Sequence, residues 1–222
     1  IPAVLLTNVT MLQFPEDREA AASANVVKVS QSAWNQASYG WVNRPQKQLQ
    51  FDQLVKGQED YRAQFKGQLW MEVFLVAGMN SMPADVRRIA DHAKEIGPDR
   101  IQLNTAVRPP AEDFATAMSE ERMKSLQHLF NPTAEIIAEF KAKNASHIQA
   151  NQATIFSMLQ RRPCTAEQIA DIFGMHLNEV SKYLGKLMRA DQIRAQRERA
   201  TVYYAATDRK DEITIQRTGH TT

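Results

Sequence analysis

The chain has 222 residues, of which 43% are hydrophobic and 23% are charged, so it can hold two globular domains with buried cores. It contains no run close to the roughly 18 apolar residues that a membrane span needs and no signal-peptide pattern at its start, so we expect a cytoplasmic protein with no membrane partner. Its single cysteine, Cys164, excludes an internal disulfide bond and any metal or iron–sulfur site built from several thiolates of this chain.

The first part of the chain alternates between apolar, strand-like segments and segments with helical spacing. Buried strands are predicted at residues 3–6, 26–30, 69–77 and 100–105. Helices are predicted at 16–24, 48–64 and 84–96, and two polar-rich helices follow at 119–130 and 132–144. Strands that alternate with helices favour a parallel sheet with right-handed crossovers, so the predicted fold class is α/β, an open and partial βα barrel.

The sequence opens directly on an apolar strand, at residues 3–6. We therefore expect that an earlier part of the barrel precedes it. A sheet without its first strands has an unpaired edge, and we expect a helix to cover that edge or a homodimer to form along it.

The partial barrel with its trailing helices is predicted at residues 1–146, of which 141–146 resemble a linker. A smaller domain at 147–207 and a frayed tail at 208–222 follow. The smaller domain is predicted to contain a helix at 152–160, a helix capped by Thr165, a helix capped by Asn178, and strands at 192–195 and 200–205. This order predicts a winged helix-turn-helix domain.

The positive charge of the chain lies in this second domain. Residues 147–207 hold eight basic and five acidic side chains, whereas residues 1–146 hold 16 basic and 17 acidic ones. In DNA-binding domains of this type the third helix enters the major groove and cations of the wing contact phosphates. The candidate nucleic-acid-binding residues are Lys182, Lys186, Arg197 and Arg199. An RNA or a protein partner remains an alternative ligand for the same domain.

In the first domain, polar residues stand where the predicted strands end. Parallel-sheet enzymes bind their ligands in the loops after the carboxyl ends of the strands, so these residues should share one rim. The rim residues are Asn8, Ser30, Gly78, Asn80, Asn104 and Arg108. A strand-end serine that bonds its own backbone and a simple turn glycine are the alternatives for Ser30 and Gly78.

Four strings of the first domain resemble the later barrel strands of the radical S-adenosylmethionine (SAM) superfamily. They are VVKVS at 26–30, VNRP at 42–45, EVFLVAGMN at 72–80 and QLNTAVRPP at 102–110. The last string, with a winged helix downstream, is similar to a subgroup described as iron–sulfur oxidoreductases. The resemblance implies a 4Fe-4S cluster held by three cysteines, SAM as cofactor, and hydrogen abstraction from a substrate that it does not specify.

Because those cysteines are absent here, the chain alone is expected to be inactive and not to bind the cluster. The resemblance implies that SAM contacts the rim residues and Arg44. Ser30 would reach the SAM ribose or carboxylate, Arg44 the methionyl carboxylate and the Gly78 backbone the adenine. Gln31 and Ser32 replace the Leu-Asp pair expected after Ser30.

A second hypothesis is a DNA-binding transcriptional regulator in which the remnant barrel is a scaffold or a ligand sensor. The five histidines are dispersed with no metal-ligand spacing, so no metal residues are predicted. Neither a phosphate-binding loop nor a Gly-Xaa-Ser-Xaa-Gly elbow is present.

Overall fold

The computed structural model describes residues 1–107, 115–138 and 151–207. The chain forms two units, Ile1–Ile148 and Gln149–Thr222. Arg108, the predicted linker and the predicted tail lie outside the described residues.

The first unit is built on a five-stranded parallel sheet whose strands follow one another in chain order. The strands are β1 (Val4–Thr7), β2 (Val26–Ser30), β3 (Gln68–Leu75), β4 (Arg100–Thr105) and β5 (Glu135–Ile136). The helices are α1 (Pro15–Ala21), α2 (Gln36–Asn43), α3 (Phe51–Gln64), α4 (Pro83–Ile96) and α5 (Glu120–Leu126), the last followed by a 3-10 turn, Gln127–Leu129. An open parallel sheet with connecting helices confirms the predicted fold class of a partial βα barrel.

Two elements of this unit differ from the sequence-based prediction. The helix predicted at 132–144 is wrong over its described part, because Glu135 and Ile136 pair with β4 as a fifth strand. Helix α2 was not predicted. It begins after Asn35, whose side chain accepts a hydrogen bond from the Ser38 N–H in a capping box, so a polar cap marks its start more clearly than any apolar period does.

The two faces of the sheet differ in burial. Along β3 every second side chain is completely buried, namely Leu69, Met71, Val73 and Leu75. The intervening Trp70, Glu72 and Phe74 are only half-buried. Helix α4 buries Val86 and Ile89, and packs against α3. We call the half-buried side of β2, β3 and β4 the open face; it carries Lys28, Ser30, Trp70, Glu72, Phe74 and Asn104.

Strand β1 is exposed, although the sequence predicts a buried strand. Val4 is 55% and Leu6 is 70% exposed. The prediction is wrong because β1 is the first strand in the order of the sheet, so within the described residues only β2 pairs with it. Dimerisation along this edge stays a prediction.

The second unit contains three helices followed by an antiparallel hairpin. The elements are α6 (Gln152–Leu159), α7 (Ala166–Phe173), α8 (Leu177–Arg189), β6 (Ile193–Glu198) and β7 (Thr201–Ala206). This is the element order of a winged helix-turn-helix domain. Across the described ranges of both units, no helix has the length and hydropathy that crossing a bilayer requires.

Helix caps in the second unit agree only in part with the prediction. Thr165 caps α7, and the side chain of Gln168 completes a capping box with it. The predicted cap at Asn178 is wrong, because His176 has the extended backbone of an N-cap and Leu177 is already helical. The hairpin turns at Arg199, with φ of 55°, so Arg197 lies within β6 and not at the tip.

Candidate functional site

Three polar side chains cross the open face of the sheet on three adjacent strands. The Lys28 ammonium on β2 forms an ion pair with the Glu72 carboxylate on β3. The other oxygen of Glu72, Oε1, accepts a hydrogen bond of 2.9 Å from Asn104 Nδ2 on β4. We call these three residues the polar ladder.

The polar ladder is partly withdrawn from water. The side chains of Lys28 and Glu72 are 16% and 23% exposed. Removing charges from water costs free energy, and a pair of well-packed apolar residues often stabilises a fold as well as an ion pair does. A gain in the stability of the fold therefore does not explain why a charged pair occupies these two positions. The position of the pair on the open face makes it a candidate for ligand binding.

Ser30 and Asn104, two of the predicted rim residues, lie on the strands on either side of Glu72. Ser30 is the register partner of Glu72 in the pairing of β2 with β3, and Asn104 is bonded to the Glu72 carboxylate. Ligands of open parallel sheets bind at the carboxyl ends of the strands, where Ser30 and Asn104 stand. The face thus presents an ammonium, a carboxylate, a hydroxyl and an amide to a polar ligand.

Asn80 does not belong to this surface. It is completely buried, and its Oδ1 accepts a 2.8 Å hydrogen bond from the Val76 N–H. Its Nδ2 donates to the carbonyl oxygens of Ser32 at 2.9 Å and Phe74 at 2.8 Å. The predicted contact with a cofactor does not fit this position, because the side chain is already used to join the ends of β2 and β3.

Gly78 is also buried, in the turn after β3. Its φ is 75°, a conformation that favours glycine, and its N–H donates to Ser81 Oγ at 3.1 Å. The structure thus favours the turn-glycine alternative. Arg44 is exposed at the end of α2. Asn8 is exposed as well, and its Oδ1 accepts from the hydroxyl of Thr10 at 2.8 Å.

The two residues after Ser30 have internal roles. Gln31 is buried and its Oε1 accepts a 2.9 Å hydrogen bond from Gln58 Nε2. Ser32 Oγ accepts from the Phe74 N–H at 2.9 Å. The side chains of Gln31 and Ser32 therefore do not take over the role of the aspartate that the resemblance implies here, which would bind the ribose of SAM.

Sequence reasoning missed Lys28 and Glu72 as site residues. Each is a single charge between apolar neighbours, in Val-Val-Lys-Val and Met-Glu-Val. In a parallel strand that is buried on both faces such a charge costs free energy. The sequence therefore contained a signal that these two positions have a special role.

We expect the polar ladder to show coupling in a double-mutant cycle. Lys28→Met and Glu72→Gln should each lower the free energy of unfolding by about 1–2 kcal/mol, because each leaves a half-buried partner without its counter-charge. The double variant should lose less than the sum. Urea unfolding followed by tryptophan fluorescence measures this, since all three tryptophans, Trp34, Trp41 and Trp70, belong to the first unit. Strictly additive losses would contradict the contact.

A groove of about 560 Å³ lies elsewhere in the first unit, between the segment before α1 and helix α3. It is lined by Gln13, Phe14, Asp52, Gln53, Lys56, Gly57 and Asp60. Lys56 Nζ donates a hydrogen bond of 2.6 Å to Asp60 Oδ1, and this bond lowers the pKa of the Asp60 carboxyl. None of the lining residues was predicted to bind a ligand.

In the second unit, the predicted nucleic-acid-binding side chains are exposed. Lys182 and Lys186 lie on α8, with Lys186 Nζ 5.8 Å from the centre of the Tyr183 ring. Arg197 lies on β6 and Arg199 at the hairpin turn. This exposure fits contact with a polyanion but is also usual for charged residues on a protein surface.

The iron–sulfur cluster that the resemblance implies does not fit the residues of this chain. Cys164, the single cysteine, is completely buried in the second unit. The described residues contain no group of three or more His, Cys, Asp or Glu placed to hold a metal. Any cluster thiolates would have to come from outside these 222 residues.

Comparison with known proteins gives distant relatives. The chain is 30% identical over 210 residues to the GTPase Obg of Brachyspira hyodysenteriae, covering 92% of this chain and 31% of that protein. It is 25% identical over 152 residues to a UPF0026 protein of Methanocaldococcus jannaschii, covering 68% and 46%. For a UPF0026 protein of Helicobacter pylori the identity is 23% over 206 residues, covering 93% and 66%. The chain thus spans from about a third to just under two thirds of these relatives' lengths.

No family model matches the chain. Among solved structures, a radical SAM methyltransferase from Sphaerobacter thermophilus has a TM-score of 0.49 and 16% identity, covering 64% of this chain and 42% of that one. A domain of the pyruvate-formate lyase-activating enzyme from Bacteroides vulgatus has a TM-score of 0.48 and 13% identity, covering 63% and 82%. Because both TM-scores are below 0.5, we base no conclusion on these two likenesses.

Proposed function

We propose that this chain is the later part of a radical SAM iron–sulfur enzyme joined to a winged helix. The observation that carries the proposal is the polar ladder on the open face, with Ser30 and Asn104 at the carboxyl ends of parallel strands. Three of the four strings that resemble the superfamily, at 26–30, 72–80 and 102–110, include the ends of β2, β3 and β4, whereas VNRP at 42–45 lies at the end of α2. Ser30 and Asn104 would contact SAM, and Lys28 and Glu72 would orient them or the substrate.

The cluster would supply electrons for the cleavage of SAM, and its cysteines would come from outside this chain. The residues of this chain would bind and orient the cofactor and shield it from water. Asn80 and Gly78 support that role indirectly, because they fix the loops at the ends of β2 and β3.

The proposal predicts a cluster only in a longer polypeptide. The reading frame before Ile1 should encode a Cys-Xaa3-Cys-Xaa2-Cys motif, and the extended protein, reconstituted without oxygen, should show a broad visible absorbance that reductant bleaches. The 222-residue chain treated identically is the control and should show none. An extended protein that has no cysteine motif or takes up no iron would refute the enzyme.

In the extended protein, Ser30→Ala should weaken SAM binding by about tenfold, because one hydrogen bond to the ligand is lost, while the visible absorbance stays unchanged. Equilibrium dialysis with labelled SAM measures the affinity. Ser23→Ala is the matched control, since Ser23 is exposed, bonds to the Ala20 carbonyl oxygen after α1 and was not predicted to contact SAM. Equal affinities for Ser30→Ala and the unmodified protein would remove Ser30 from the site.

A second candidate function, DNA binding, is carried by the cations of the second unit. The predicted Lys182 and Lys186 are exposed on α8, as is Arg189, and the predicted Arg197 and Arg199 belong to the hairpin. On α8 and the hairpin strands the acidic side chains are fewer than the basic ones, with Glu179 on α8 and Glu198 on β6. Such an excess favours contact with phosphates.

DNA binding by the full chain should weaken steeply with salt, since phosphate contacts release counterions. Lys182→Ala should reduce the slope of log affinity against log salt concentration by about one. Fluorescence anisotropy with a labelled duplex measures both quantities. Lys124→Ala is the control, because Lys124 belongs to the first unit and is 61% exposed. An affinity for DNA that does not change with salt concentration would count against contacts with phosphates.

A further inference from the structure

The groove of about 560 Å³ between helix α3 and the segment before α1 is large enough to hold a ligand, and we call it the α3 groove. Pockets that bind small molecules have volumes of about 300–1,000 Å³. The residues that line the α3 groove include neither Ser30 nor any member of the polar ladder. A ligand of the α3 groove would therefore be distinct from a ligand of the open face.

Phe14 gives the α3 groove an aromatic wall. The residue is 42% exposed, and it occupies the N-cap position of α1, where its side chain makes no capping hydrogen bond. Serine, threonine, aspartate and asparagine are the residues that stabilise the start of a helix at this position. Phe14 thus neither caps α1 nor lies in the core. The face of an exposed aromatic ring carries negative potential and attracts cations.

The polar atoms that line the α3 groove are mainly hydrogen-bond acceptors. Asp52 is exposed in the first turn of α3, and its carboxylate bonds to no other side chain among the residues that the structure describes. Gln13 Nε2 donates to the Thr10 carbonyl oxygen at 2.8 Å, which fixes the amide and leaves Oε1 as an acceptor. The ammonium of Lys56 already donates to Asp60. A cationic ligand with N–H donors would satisfy these acceptors, whereas an anion would not.

Carboxylates outnumber cations in the lining and in the helix turns beside it. The carboxylates are Asp52, Asp60, Glu59, Glu16 and Asp17, and the cations are Lys56 and Arg18. Carboxylates in the first turn of a helix also stabilise that helix, so the charge alone does not identify a site. An exposed ring and an unpaired carboxylate that line the same groove form a pair of groups that suits a cation.

We propose that the α3 groove binds an organic cation, a guanidinium or alkylammonium group that lies against the Phe14 ring and pairs with the Asp52 carboxylate. The amide oxygens of Gln13 and Gln53 accept hydrogen bonds from its remaining N–H groups. Free small molecules and the arginine or lysine side chains of a partner protein both carry such a group, and the experiment separates these two sources.

Titration of the ¹⁵N-labelled 222-residue chain with two cationic probes tests the inference. The probes are n-butylguanidinium and the capped peptide acetyl-Gly-Arg-Gly-amide. In NMR spectra the N–H of Gly57 and the side-chain amides of Gln13 and Gln53 should shift saturably, with a Kd of about 1 mM. The neutral peptide acetyl-Gly-Gln-Gly-amide should shift none of them. An affinity about ten times higher for the cationic peptide than for butylguanidinium would identify a protein side chain as the source, and comparable affinities a free cation.

Three variants test the two groups that hold the cation. Phe14→Leu keeps an apolar side chain without the ring, so its affinity for both cationic probes should fall about fivefold. Phe14→Trp should bind at least as tightly as the unmodified chain, because indole is the best partner for a cation. Asp52→Asn keeps the shape without the charge and should also lose about fivefold.

Asp91→Asn is the matched control for Asp52→Asn, because Asp91 is exposed on α4 and does not line the α3 groove. It should bind both probes as the unmodified chain does. Equal affinity of Phe14→Leu and the unmodified chain would overturn the role of the ring, and equal binding of the neutral peptide would overturn recognition of charge. Displacement of both probes by Mg²⁺ at constant ionic strength would show a metal site and overturn the inference. The radical SAM proposal is unaffected by each of these results, because the experiment involves neither SAM nor the cluster.

Discussion

Replacing Asn80 with alanine is expected to lower the free energy of unfolding of the first unit by about 3–5 kcal/mol. The change removes three hydrogen bonds and leaves the Val76 N–H and the carbonyl oxygens of Ser32 and Phe74 without this partner. A buried polar group that loses its partner costs about 1–3 kcal/mol, and these groups have little access to water. Urea unfolding followed by tryptophan fluorescence measures the loss.

Two variants make this experiment specific. Asn8→Ala should cost at most about 1 kcal/mol, because Asn8 is exposed and bonds to Thr10 nearby. Asn80→Asp keeps the shape of the side chain but places a carboxylate oxygen against the carbonyls of Ser32 and Phe74, so it should be as harmful as alanine. If Asn80→Ala cost no more than Asn8→Ala, Asn80 would not hold the two strand ends together.

Gly57→Ala is expected to destabilise the first unit by about 2 kcal/mol despite the better helix propensity of alanine. The new Cβ would lie 2.7 Å from the Leu12 carbonyl oxygen and 2.8 Å from the Gln13 backbone nitrogen. Both atoms belong to the backbone, so helix α3 or the segment before α1 must move. The same tryptophan fluorescence assay reports the change.

The control for Gly57→Ala is Gly40→Ala. Gly40 is also helical, but an added Cβ there meets no atom within 4 Å. Gly40→Ala should therefore stabilise the unit by about 0.5–1 kcal/mol. If both variants stabilised the unit, the close approach of α3 to Leu12 would be disproved.

Much of the fold follows from local sequence patterns. The strands β2 and β4 have the predicted bounds. Runs such as Val26–Ser30 are rich in β-branched residues, and the neighbouring segments have a clear helical pattern, so the ends of the strand are well defined. Helix α4 was predictable to within one residue, since Pro83 suits its first turn and Gly97 ends it in the left-handed conformation. The helix-turn-helix followed in the same way from Thr165 and the apolar spacing of α8, and the hairpin followed from two short strand-like runs separated by charged residues.

Two features of the fold could not be predicted from local patterns, because they depend on neighbours that are distant in sequence. Strand β5 has only two residues, Glu135 and Ile136, and is defined by its pairing with β4. Exposure of β1 follows from its place in the strand order and not from its composition, which is apolar. A local pattern cannot show whether an apolar strand has one neighbour or two.

The positions of two candidate site residues in the sheet were predictable, but their contacts were not. Ser30 and Asn104 stand where the strand ends indicated, yet the charged residue between them is Glu72, which lies in the middle of β3 and bonds to Asn104. Asn80 looked like a rim residue because it follows a strand. Only the folded loop shows that all its polar atoms point inward.

The burial of Cys164 gives the second unit a reporter of its own opening. The thiol is completely buried, and the backbone around it is joined to β7 by two hydrogen bonds with Tyr204, of 3.0 and 2.8 Å. A thiol reagent can react only in molecules in which this region has opened, so the labelling rate measures the opening equilibrium under native conditions. With one thiol in one unit and all tryptophans in the other, a single unmodified sample can show whether the two units open independently.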